Sequence, residues 1–546
     1  MSGDSPHRPG PRPRRDPNWP SSPIVRILIV CDDEFSYATD ERFGLTELIG
    51  ALEAPSLFVS FALTKAHRET SPYSEQADVQ SFRFDNAEHF NASNFDEIWF
   101  FGLRHTNETV SKLSDAELRI VSEFMDRGGG VFAAGDHEDL GSSLCGQIPR
   151  VRSMRKWHFD YQVVAEDYEN YDPASGDSPP VLGSFRHDTL MAGEDPSFTF
   201  DDQSDDLAAE IIPKYYGTSN KYLVYKYPHP LLCGPRGVIA ILPDHMHEGE
   251  CIVPTDVGQS TTFNGYTSAE YPTVDGAQPV PDVVAEGIVT AHQTDNTGED
   301  SIVDVASKAK TFGCIGAYDG HTANVGRVVV DSTFHHFVNI NINGTASDSM
   351  DPVKQEGFYA SAEGLEQYER IQAYWRNIAI WLAPPGAARN MFYTALWAAR
   401  WDSQIRMLTP GLVQKRGNWR NTVAYGTAVH AVMKRFWSPC AVVDWVFAQD
   451  NPLAKFKWWL VLTLPDPPPW KRLIVDLPEL ATGMLGEMMA HLVAAVPERD
   501  DEFRDSLAEK MPKIVKESYQ SALRSAAREA QQKAEATKKF FDSVQA

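Results

Sequence analysis

Residues 24–35, IVRILIVCDDEF, decide the fold. Six of the first seven are apolar, and three acids (Asp32, Asp33, Glu34) close the run. A strand covered on both faces has this near-continuous apolar character, whereas a half-exposed strand alternates. Working outward, Phe43, Leu45, Leu48, Ile49 and Leu52 recur at helical spacing. A second strand is expected in LFVSFAL, residues 57–63, and a third in FDEIWFFGL, residues 95–103. In LSDAELRIVSEFMDRGGG, Ser114 can cap a helix, Glu117 stands three residues on, and Gly128 to Gly130 stop it. The strand VFAAG follows from Val131. Strands and helices alternating over short links predict an α/β domain with an open parallel sheet and helices on both faces.

Beyond this core the pattern changes twice. Residues from about 160 to 310 are acidic, rich in Pro, Gly, Ser and Tyr, and weakly periodic, which predicts a large irregular insertion of loops and short strands lying over the site. The sheet resumes at GRVVVDSTFHH, and EGLEQYERIQAYWRNIAIWL forms a helix that Pro384 and Pro385 end. From Gly386 the pattern is helical, apart from the Pro-rich residues 464–470. Phe503, Leu507, Met511, Ile514, Val515, Tyr519 and Leu523 mark one face of the last helix. The expected domains are a disordered tail over 1–23, an α/β domain over 24–385, and an all-α C-terminal domain over 386–546.

With 546 residues, more than one core is expected. Fifty basic and seventy-five acidic residues leave a net charge of −25, which argues against a general nucleic-acid binder. No apolar stretch approaches the ~20 residues a bilayer span needs, so no membrane association is expected. The six cysteines lack CxxC spacing and read as reduced, buried thiols. The Pro/Arg-rich N-terminus has no apolar h-region, and a cytoplasmic location is the default. The last helix is expected to pack on its own domain; a protein partner or self-association through the C-terminal helices is the other reading.

Ligands gather at the carboxyl ends of strands in an open α/β sheet. Asp32 and Asp33 follow the first strand, and Arg104 and His105 the third. Asp136, His137, Glu138 and Asp139 follow the fourth; the last gives Asp331, Ser332, Thr333, His335 and His336. Imidazoles among carboxylates suit proton transfer near neutral pH. A further cluster, LPDHMHEGE, holds Asp244, His245, His247 and Glu248. Alternate residues of an extended segment share a side, so these could hold a divalent Zn, Mn or Fe, with His229 of YPHPLL near in sequence.

GGGVFAAGDH, GRVVVDSTFHHF and a helix of the form YWRNIAIWL together resemble the class I glutamine amidotransferase-like superfamily, and within it the trehalose-utilisation ThuA-like proteins. The resemblance spans roughly residues 24–382 and implies a flavodoxin-like three-layer sheet. Gly135-Asp136-His137 stands where that superfamily has Gly-x-Cys, and Phe334-His335 where it has Phe-His. With His137 at the turn there is no nucleophilic thiol, so this is not a functional glutamine amidotransferase; His336-Phe337 also replaces Pro-Glu. Cys145, eight residues past His137, is either a displaced nucleophile or a small buried thiol. No nucleotide cofactor is expected: a G-x-G-x-x-G fingerprint is absent after the first strand, and a phosphate loop is absent altogether. Gly102 at the end of the third strand removes a phosphorelay reading.

These residues lead to a hydrolase-like enzyme for a small polar ligand, carbohydrate-related by analogy alone. His137, His335, Asp136 and Asp331 would be catalytic, and Asp32, Asp33, His105, Glu138 and His336 would bind substrate. Metal assistance at Asp244, His245, His247 and Glu248 would be optional. The alternative is a ligand-binding or scaffold protein that kept the fold and lost the nucleophile.

Overall fold

The computed structural model describes residues 23–545 except 57, 137–138, 158–207, 220–223, 244–248, 275, 277, 290–291, 297–301, 307–309, 348–354, 414–417, 436–441, 443–444, 447–476 and 497–500. The expected N-terminal tail, much of the insertion and the Pro-rich 464–470 stretch lie outside the described residues.

An eight-stranded mixed sheet forms the centre of the first unit. Its strands are β1 (Ile24–Cys31), β2 (Ser60–His67), β3 (Glu97–Phe101), β4 (Gly130–Ala134), β5 (Ile212–Pro213), β6 (Asp282–Val289), β7 (Lys310–Tyr318) and β8 (Val328–Asp331), in the order β2-β1-β3-β4-β8-β7-β6-β5. The pairs β1–β3, β3–β4 and β4–β8 are parallel, whereas β8–β7, β7–β6 and β6–β5 are antiparallel. The expectation of a parallel sheet therefore holds for part of it only. Residues 319–327 joining β7 to β8 are too few for a crossover, which needs a dozen or more residues, so these strands can only pair antiparallel. The insertion likewise does more than overlie the sheet: β5 and β6 belong to it and extend the sheet edge. Strand β2 starts three residues later than expected and reaches into His67. Its partial exposure over the first six residues reflects its place at the sheet edge, where apolar continuity is a poor guide to boundaries.

Strand pleating sends alternate side chains to opposite faces. Leu28, Val30, Ile98, Phe100, Val131, Ala133, Val328 and Val330 enter one cluster with Leu118, Val121, Phe124 and Met125 of α2 (Asp115–Asp126). Helix α2 begins as the sequence predicts: Ser114 and Glu117 form a reciprocal capping box. The other face is aromatic. Trp99 packs on Phe132 at 5.0 Å, and Phe132 and Phe101 meet Phe337 at 5.0 and 5.4 Å. Phe337 in turn lies 6.4 Å from Trp375 of helix α4 (Ala362–Leu382). Helices α1 (Thr46–Glu53) and α3 (Asn339–Asn343) complete the set used below.

The chain divides into two compact units. One comprises Val25–Leu52 and Phe61–Ala388; the other comprises the described parts of Met1–Ile24, Glu53–Ser60 and Arg389–Ala546. Among the described residues its regular elements from Arg389 onward are helices, with α5 (Pro385–Ala399) leading into it, then α6 (Ser403–Val413), α7 (Trp419–Met433), α8 (Leu477–Ala495), the short Asp501–Asp505 and α9 (Leu507–Gln545). Proline ends α4 at Leu382 and then opens α5 at Pro385, where its missing N–H costs nothing. Phe503, Leu507, Met511, Ile514, Val515 and Tyr519 are buried as their spacing requires, while Leu523 is half-buried. Among the described residues no helix is long and apolar enough to cross a membrane.

Candidate functional site

Parallel register aligns four strand ends: Cys31 pairs with Phe101, Phe101 with Ala134, and Ala134 with Asp331. The residues just beyond these positions share one edge of the sheet. Two turns carry its innermost charges. Asp136 stands two residues past β4, and Phe334-His335-His336-Phe337 comes just after β8.

The adjacent histidines serve different carboxylates. His335 Nε2 lies 3.4 Å from Asp136 Oδ2, across the gap between two neighbouring strands. His336 Nδ1 lies 2.8 Å from Asp331 Oδ1, on its own strand. The second pair continues into α4, where the Tyr374 hydroxyl donates to Asp331 Oδ2 at 2.7 Å and the Trp375 indole donates to the His336 carbonyl at 3.1 Å. Burial pushes the Tyr374 hydroxyl well above its usual range, and the nearby Asp331 carboxylate adds to this, so Tyr374 remains a donor. Asp136, Asp331 and His336 are 0% exposed and His335 is 4% exposed. The His335 ring is held further by Asn341, whose Oδ1 lies 2.7 Å from Nδ1, and by the Thr333 hydroxyl, which accepts from the His335 backbone N–H at 3.0 Å. Phe334 and Phe43 flank it at 4.6 and 6.3 Å between ring centres.

Arg155 ties the two strand ends together. One of its terminal nitrogens donates to the carbonyls of Asp136 (2.5 Å) and Ser332 (2.7 Å), and its guanidinium lies 4.3 Å from the centre of the Trp157 ring. Burial lowers its proton affinity, but the Asp136 and Asp331 charges oppose that. Backbone contact fixes this floor: a Cβ at Gly141, which holds φ +85°, would come within 2.7 Å of the Gly102 carbonyl and 2.9 Å of Gly135 Cα. Only glycine fits there.

A second, wetter set of charges lies beyond β1 and β3. Arg104 pairs with Asp33 at 2.9 Å, with Glu69 at 2.6 Å, and with Glu108. His105 contacts Asp139 through Nδ1, and Asp139 also accepts from the Thr106 N–H at 2.9 Å. The His105 contact and the Thr106 N–H hold the Asp139 carboxylate below its usual range, against the partial burial that would raise it. Asp32, just past β1, is 0% exposed. Its Oδ1 accepts from the Leu103 N–H at 2.8 Å, and burial pushes this carboxyl up to about 7. The structure thus joins Asp136 to His335 and Asp331 to His336, but it gives Asp33 and His105 separate partners at the rim.

His137 and Glu138 lie outside the described residues, as do Asp244, His245, His247 and Glu248. Among the described residues no group of three or more His, Cys, Asp or Glu side chains is arranged to hold a metal. His229 does structural work: its Nδ1 accepts from the Leu231 N–H at 3.3 Å, and its ring meets Trp381 edge-on at 5.0 Å. Cys145 is 0% exposed, and burial holds its thiol well above the range of a reactive cysteine, as the buried-thiol reading expects. Sequence reasoning missed Arg155, Asn341 and Tyr374. Tyr374 was legible only as part of an apolar helix face, and VRSMRKW carries no motif. The one available signal for Asn341 was three asparagines alternating with isoleucine in NININ. No protein-family model and no curated protein matches this chain.

Proposed function

We propose that the protein is a hydrolase-like enzyme for a small polar substrate, with His335 and Asp136 as its acid–base pair. The 3.4 Å approach of His335 Nε2 to Asp136 Oδ2 carries this reading. It brings a titratable imidazole and a carboxylate from two chain segments to the edge where α/β sheets bind ligands. The finer fold assignment is flavodoxin-like. It is supported by the order β2-β1-β3-β4-β8, which matches the 2-1-3-4-5 pattern of that class. The amidotransferase-like resemblance is supported by the placement of Gly135-Asp136 and Phe334-His335 after adjacent parallel strands. A carbohydrate-related substrate, a divalent metal and a cytoplasmic location rest on the sequence reading alone.

Screening the full chain and His335→Gln against generic ester, phosphoester, amide and glycoside substrates tests the proposal. Removal of an acid–base group should lower turnover about 100-fold or more with the fold intact. Equal turnover by the two proteins would remove His335 from the chemistry. A second reading, a ligand-binding or scaffold protein, is favoured by the near-complete burial of His335 and Asp136. Saturable binding of a ligand that is never turned over would establish it.

A further inference from the structure

Helix α3 presents three asparagines, and two of them face away from the charged interior. Asn339 Oδ1 accepts from the Thr46 hydroxyl at 3.2 Å and from the Glu47 N–H at 3.3 Å, and Asn343 donates to Glu47 Oε1 at 2.8 Å. Both therefore bind the first turn of α1. Asn341 turns instead to His335, with 2.7 Å between Oδ1 and Nδ1, and it is 0% exposed. A carbonyl oxygen accepts and cannot donate, so this contact requires a hydrogen on Nδ1.

We infer that Asn341 is the positioning residue of His335: it occupies the Nδ1 hydrogen and leaves Nε2, which faces Asp136, as the nitrogen that takes and gives a proton. This rests on the acid–base reading above and adds its direction. Orientation of a base by a third group recurs wherever an imidazole works through one nitrogen. Among the described residues Asp136 is a charged group at Nε2, Arg155 holds the Asp136 carbonyl, and Phe334 and Phe43 flank the ring. The Arg42 guanidinium stands against Phe43, 5.2 Å from its ring centre. Ring rotation would turn Nδ1 toward Asp136 and take the hydrogen away from the buried Asn341 carbonyl, leaving that acceptor without it.

The test reads ring nitrogens in full-length protein labelled with ¹⁵N-histidine, with His335 assigned by difference against His335→Gln. The neutral wild-type ring should carry its hydrogen on Nδ1. Asn341→Leu removes the acceptor and should let the Nε2–H tautomer appear, whereas Asn341→Asp should raise the His335 midpoint by about one pH unit or more. Asn343→Ala, which loses contacts to Glu47 and Thr345 and none to His335, should leave the His335 signals in place. A wild-type ring in the Nε2–H form, or unchanged His335 signals in both Asn341 variants, would overturn the inference. Because no substrate enters the measurement, a protein that fails to hydrolyse anything can still pass it, and the two proposals fail separately.

Discussion

The carboxyl edge of the sheet carries two sets of ion pairs that differ in wetness. Around Arg104, side chains are 15–35% exposed and three carboxylates share one guanidinium. Around Asp331 and His336 both side chains are 0% exposed, and each partner has a single assigned place. Water can replace a lost partner at the rim but not in the interior. The rim therefore tolerates change, and the interior fixes the relation between β4, β8 and α4.

Breaking the interior set should have the largest effect. Asp331→Ala strands the His336 ring and the Tyr374 hydroxyl, and should cost about 3 kcal/mol or more in urea unfolding. A loss below about 1 kcal/mol would show that water reaches this pair after all. Asp32, buried beside the rim set, sharpens the comparison through pH. Its folded carboxyl is raised from 3.8 to about 7, so the folded state prefers the proton. That contribution is complete below pH 3.8 and is lost as pH rises toward 7, by at most about 1.4 kcal/mol per pH unit. Asp32→Asn should flatten this part of the stability–pH curve and gain relative to the wild type at pH 7.5; parallel curves would mean that Asp32 is hydrated. The smallest effect belongs to the rim. Arg104→Ala should cost no more than about 1 kcal/mol, and the cost should shrink as salt is added. A loss as large as that of Asp331→Ala would erase the distinction.

The sequence was most readable where local pattern and topology agree. The apolar run into Asp32, the capping box of α2 and the VFAAG strand each needed only neighbouring residues. Asp136 and His335 were legible for a related reason: each stands directly after a strand that its own apolar run announces. Arg155 escaped because its partner carbonyls lie 19 and 177 residues away, and nothing near Arg155 signals that closure. The antiparallel half of the sheet escaped for another reason: weak periodicity concealed β5 and β6. The short 319–327 link already required β7 to oppose β8, had β7 been recognised. The part assigned to His137 rests on the sequence reading, since His137 and Glu138 are not among the described residues.

The contact of Gly102, Gly135 and Gly141 has a mechanical consequence. Two turns that touch backbone to backbone have no rotamers between them to absorb a displacement. Pressure on the loop carrying Leu103 and Arg104 is therefore passed directly to the turn carrying Asp136. A push on that loop would reach Asp136 through main chain, and the imidazole beyond it through the Asp136 carboxylate.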